Sequence, residues 1–132
     1  MASVDADVVS MLQATGTLSG ISIYQGPVRE IGALVTPTAV FVLQTGGVAP
    51  IPYLGTQTDV RQSSIQVRIR SDVTNGYNTA VELTQTVLAA LQRKTPSGRI
   101  TCFVDESEAT YLGQDAYNNY EFSLNARVVW VG

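Results

Sequence analysis

Three carboxylates, Asp105, Glu106 and Glu108, crowd into the step DESE, and a thiol, Cys102, stands just before them in the run ITCFV. Carboxylate oxygens gathered in a turn are the ligands a hard divalent cation takes. A thiol becomes a nucleophile once something stabilises its thiolate. Both chemistries need helpers, and the sequence supplies few. It contains no histidine, the commonest general base and metal ligand. No CxxC, GxSxG, Walker-type loop or GxGxxG occurs, and the pair Gly46-Gly47 is followed by neither a lysine nor a helix start. The acidic step is therefore expected to be a solvated turn, and Cys102 a small buried core residue. No catalytic, cofactor-binding or metal-binding residue is assigned, no cofactor is expected, and the chain is not read as an enzyme. A small carboxylate-based metal-binding domain acting through Asp105, Glu106 and Glu108 stays open as an alternative of a different class.

The elements that would carry these groups follow from periodicity. Val4, Val8, Met11 and Leu12 share one helical face, with Ser3 as a candidate N-cap, Asp5 and Asp7 in the first turn and Gly16 as a stop. Residues 21–24 and 39–44 read as strands. SSIQVRIRS, residues 63–71, alternates: Ile65, Val67 and Ile69 point one way, Gln66, Arg68 and Arg70 the other. A slip of one residue would bury two arginines, so the register is firm. The arginine pair reads as a solvated face, or as a partner for carboxylates on an adjacent strand or subunit. Residues 75–93 form the longest helix, with a stripe of Tyr77, Ala80, Val81, Thr84, Val87, Leu88 and Leu91. Three strands close the chain over 99–104, 109–113 and 120–131. In the last, Tyr120, Phe122, Leu124, Ala126, Val128 and Trp130 share a face, and Val129 and Val131 make its end apolar on both sides. The predicted fold class is α+β, a mainly antiparallel sheet with one long helix packed on a face and a short N-terminal helix.

One segment does not fit this scheme. TGGVAPIPYLGTQTD, residues 45–59, holds three glycines and two prolines, yet carries Val48, Ile51, Tyr53 and Leu54. It is either a loop folded back over its own core or an arm that packs on a neighbouring subunit. The chain is otherwise read as a single domain over 1–132, with this long apolar loop at about 45–60.

Composition narrows the class. The chain is 45% hydrophobic but only 14% charged, against about 25% in ordinary proteins. Sparse charge suits a surface packed against copies of itself, and a neutral monomer equally. Seven arginines and one lysine against eleven acids give a net charge of −3, which offers no footprint for gripping nucleic acid. The single cysteine forms no internal disulfide, as expected of synthesis in a reducing cytoplasm. The start MASVDADVV carries acids where a signal peptide carries bases, so no secretion signal is expected. No apolar stretch reaches the roughly 18 residues of a membrane span.

Taken in order along the chain, three features carry a resemblance: the N-terminal amphipathic helix ending near Gly16, IQVRIRSD leading into TAVELTQTVLAAL, and the closing EATYLGQDAYNNYEFSLNARVVW. The chain resembles the tail terminator or minor capsid proteins of long-tailed bacteriophages, over essentially its whole length. The loop at 45–59 departs from the general pattern in its apolar and proline content. The resemblance implies a structural virion protein, made in the host cytoplasm. It would form a ring, a hexamer, at the head-proximal end of the phage tail, stop polymerisation of the tube and provide the head–tail joining surface. It implies partners too: further copies of the chain, the tail tube protein and a head-completion or connector protein. DNA would pass through the channel without specific binding, and no membrane would be involved. Another head–tail connector or a tail tube subunit is the nearest alternative. On this reading Val48, Pro50, Ile51, Pro52, Tyr53, Leu54, Arg68 and Arg70 are expected at a subunit or partner interface.

Overall fold

The computed structural model describes residues 3–32, 35–52 and 58–132. The elements are α1 (Val4–Gln13), β1 (Ser22–Gln25), β2 (Ala39–Gly47), β3 (Ile51–Pro52), β4 (Asp59–Ser71), α2 (Tyr77–Leu91), β5 (Thr101–Val104), β6 (Thr110–Gln114) and β7 (Tyr120–Val131). The described strands form one sheet in the order β1-β2-β4-β7-β5, with β3 added on β4 and β6 on β7. The fold is α+β, as the periodicity predicts.

Burial fixes which face meets the helices. Ile65, Val67 and Ile69 of β4 stand opposite Ala126, Leu124 and Phe122 of β7, and Val67 and Ile69 also stand opposite Val42 and Val40 of β2. All are buried, and they receive Val4, Val8 and Leu12 of α1 and Ala80, Val87 and Leu91 of α2. The first helix packs on β1 and β2, the second on β4, β5 and β7. Each fully buried aliphatic side chain contributes about 2 kcal/mol relative to exposure, so this one layer supplies most of the stabilisation.

Local chemistry departs from expectation in several places. Ser3 stands at the N-cap position, but its hydroxyl donates to Asp5 Oδ1 (2.6 Å) and caps no backbone amide. Gly76, at a φ of 84°, begins α2. The helix ends at Leu91, short of the expected 93, and Arg93 takes a left-handed φ of 59°.

The chief correction concerns strand direction. Successive antiparallel strands are the simple expectation, yet β1 and β2 are parallel. A parallel pair needs a connection of a dozen or more residues, and residues 26–38 provide it. Arg70 holds that connection in place. Its Nε donates to the Pro37 carbonyl (3.0 Å), Nη1 to Arg29 (2.6 Å) and Nη2 to Thr36 (2.8 Å). The guanidinium also lies 5.3 Å from the centre of the Phe41 ring. Arg70 is therefore 3% exposed, where alternation alone puts it in solvent. A buried guanidinium is tolerable because its donors meet carbonyls that would otherwise lack partners.

Candidate assembly surfaces

β2 and β4 pair antiparallel, and the outer part of β2 and the β3 that follows it are exposed along this edge of the sheet. Residues 44–52 are exposed without interruption. Strand pairing nevertheless continues: Gly46 and Gly47 stand opposite Ser64 and Ser63, and Ile51 and Pro52 opposite Val60 and Asp59. The segment is thus a paired arm, where the sequence suggests an irregular loop. Its two glycines do different work. Gly46 has a φ of 110° at a bulge in the register, a conformation that side chains resist. Gly47 lies so close to the Gln62 carbonyl that a Cβ would collide with it.

Val48 and Ile51 are 53% and 56% exposed on this arm, with Pro50 and Pro52 between and beside them. Tyr53 and Leu54, expected at the same surface, lie outside the described residues. At the arm's root stands Trp130. Its indole Nε1 donates to Ser63 Oγ (2.8 Å), and Arg61 and Arg99 approach its ring at 5.4 and 4.5 Å. Arg99 is buried and paired with Asp7 at 2.9 Å, which ties the turn before β5 to the first helix. No spacing in the sequence signals that pair, because its members lie 92 residues apart.

The sheet face away from the helices carries matched charges beside the buried Phe41. Arg68 meets Glu121 across the strands at 3.5 Å, as the option of an adjacent-strand carboxylate anticipates. Arg127 pairs with Asp105 at 3.0 Å and lies 5.0 Å from the Phe103 ring centre. Glu106 accepts from the Asn125 backbone amide and side chain, at 3.2 and 2.6 Å. The acidic step is therefore a clamp on β7, and only Glu108 of the three carboxylates is exposed without a described partner. No group of three metal-ligating side chains occurs among the described residues. Cys102 is buried, and burial, then the nearby Asp105 charge, raises its pKa to about 11. At neutral pH it is a thiol, unsuited to attack.

A further surface escapes sequence reasoning. At the far end of β7, Tyr77 of α2 packs its ring against Tyr111, Tyr120 and Phe122, with centroids 5.6–6.1 Å apart. Tyr77 and Tyr111 are each 46% exposed there, beside a notch of about 110 Å³. The aromatic residues of β7 are legible as a core stripe, but their extension to a helix start and an edge strand is not.

Comparison with known proteins decides what class of molecule carries these surfaces. A family model described as "Bacteriophage tail terminator protein" matches residues 28–131. The chain belongs to the bacteriophage tail terminator protein family. It is a structural component of the phage virion that assembles with other tail components. Among curated proteins no relative matches. Of solved structures, a chain from the virion of a native gene transfer agent (GTA) particle is 17% identical. It aligns with a TM-score of 0.69 over 98% of this chain and 95% of that one. A second solved chain, 9% identical, aligns at 0.53 over 94% and 89%. Both likenesses are of fold. They extend that of the tail terminator family model to α1 and β1, which precede residue 28. No helix among the described residues is long and apolar enough to cross a membrane.

Proposed function

We propose that this single-domain tail terminator closes into a six-membered ring at the head-proximal end of the tail tube. There it stops addition of tube subunits and offers the surface that head-completion or connector proteins meet. The observation that carries this reading is the arm. Nine consecutive residues, 44–52, are exposed, and five of them, Gln44, Gly46, Gly47, Ile51 and Pro52, keep strand pairing with β4 while Val48 and Ile51 face water. Apolar side chains on an exposed edge gain nothing for the isolated chain and have value against a neighbour.

The interface then comprises Val48, Pro50, Ile51, Pro52, Tyr53 and Leu54, with Arg68 as a further candidate on the open sheet face. Arg70 acts from within, by holding residues 26–38, and is not offered as a contact. Passage of DNA is supported by charge: the net charge is −3, and Arg68 and Arg127 are each matched by a carboxylate. A surface so neutralised has few free cations for phosphates.

Replacing residues 47–55 by a short Gly-Ser link should leave a folded chain that no longer assembles. Light scattering and negative-stain images, alone and with tail tubes, read the outcome. A discrete ring for the unaltered chain and monomers for the variant are expected. Long tubes from the unaltered chain would favour a tube subunit, and normal rings from the variant would remove the arm from the interface.

A further inference from the structure

A ring closed by rotation uses two different patches on each subunit, one meeting the other. The arm is one. The geometry points to the second: the aromatic notch between α2 and β6, which receives the Ala49-Pro50-Ile51-Pro52 segment of the next copy. This inference rests on the ring reading above and adds to it the receiving site.

Placement comes first. Val60 pairs with Val131 of β7 and with Ile51, so β3 lies on the side of β4 away from β7. Tyr120–Ser123 of β7 pair with Arg68–Ser71 of β4 and with β6, so β6 lies beyond β7 at the other end. Arm and notch therefore occupy diagonally opposite corners of the sheet. They stand roughly 30 Å apart along the strands and about 14 Å across them. An arm so placed does not reach its own notch, which leaves the notch open to the arm of another copy.

Chemistry comes second. The notch is walled by Tyr77, Val81, Leu88, Ala109, Tyr111 and Phe122, together with the polar Thr84, Gln85, Ser107 and Glu108. Its volume of about 110 Å³ equals that of roughly three to four waters, and suits one branched aliphatic side chain. The arm alternates proline with Ala49 and Ile51, and proline-rich segments dock on aromatic-lined grooves because they are already extended. Residues 45–58 contain no charged side chain, and the notch lining contains one, Glu108, so no charge on the arm opposes it. The edge strand β6 has neither lysine nor proline to guard it, though natural edges are commonly so protected. The arm, by contrast, carries two prolines, which hinder arm-to-arm pairing and leave its side chains to make the contact.

Two variants test this together: Ile51→Asp disables the arm, and Tyr111→Lys disables the notch. Each alone should remain folded by circular dichroism and monomeric by light scattering, with association weakened roughly thirtyfold or more. Mixed in equal amounts at high concentration, they should form a one-to-one dimer and nothing larger. The intact arm of one then finds the intact notch of the other, and the remaining pair of patches is spent. If Tyr111→Lys fails to fold, Ala109→Leu fills the notch instead and should give the same result. A mixture that stays monomeric, while the unaltered chain forms rings, overturns the notch and leaves the ring reading standing. An unaltered chain that remains monomeric alone and with tail tubes overturns both.

Discussion

The two halves of the β2–β4 pair are continuous in backbone and opposite in character. In the inner half, Val40 and Val42 face Ile69 and Val67, and all four are at most 1% exposed. In the outer half the ladder runs on past Gly46, and residues 44–52 are all exposed. Burial holds the first; hydrogen bonds and two glycines hold the second. The contrast shows that one pair of strands can be held by burial at one end and by hydrogen bonds alone at the other; on the proposed reading the exposed end serves assembly, and substitutions should separate the two.

The largest effect on stability is expected deep in the inner half's partner strand. Leu124→Ala removes a fully buried side chain from the centre of the sheet and should cost about 3–4 kcal/mol, read by urea unfolding. Next comes the latch. Arg70→Met keeps the stem but strips three carbonyls of their donor, and should cost roughly 2–3 kcal/mol. If that variant unfolds at the same urea concentration as the parent, the crossover 26–38 does not depend on Arg70.

Cys102 gives a pH test of the same buried layer. Its pKa is raised from 9.0 in the ordinary thiol to about 11 in the fold. The folded state therefore holds its proton more tightly, and the stability this represents is complete below pH 9. It is lost as pH rises from 9 toward 11, by up to about 2–3 kcal/mol. Cys102→Ala should flatten that part of the stability–pH curve, and an unchanged slope would assign it to other groups.

The smallest effect on stability is expected at the arm. Ile51→Ser should move unfolding by no more than about 0.5 kcal/mol while weakening assembly. A loss of stability comparable to that of Arg70→Met would show that the arm serves the fold, and the division between the two halves would collapse.

Much of the inner architecture is legible in the sequence because alternation and helical stripes report burial directly. Ile65, Val67 and Ile69, the even-numbered apolar residues of β7 and the stripe of α2 from Ala80 onward land on or against the core, while Tyr77 at the head of that stripe stays half exposed. What alternation cannot see is cover supplied from elsewhere. Arg70 sits at a polar position of its strand, and only the crossover of residues 26–38 makes it a buried group. The parallel direction of β1 is hidden for the same reason, since direction is decided by the connection. Proline and glycine in residues 45–59 signal irregular chain, yet strand pairing persists there because Gly47 permits close approach to Gln62. The aromatic notch is assembled from a helix start and an edge strand some thirty residues apart, a meeting no local pattern records.

The chain's only tryptophan stands at the root of the arm, with a guanidinium group 4.5 Å from its ring and a second at 5.4 Å. This position makes the protein its own fluorophore. Excitation of the indole reports from the place where the exposed edge meets the buried sheet, and the charges beside it set its emission. Tightening or loosening of the arm root as subunits join would register as a change in colour or brightness, with no label attached and in particles too large for most other spectroscopies.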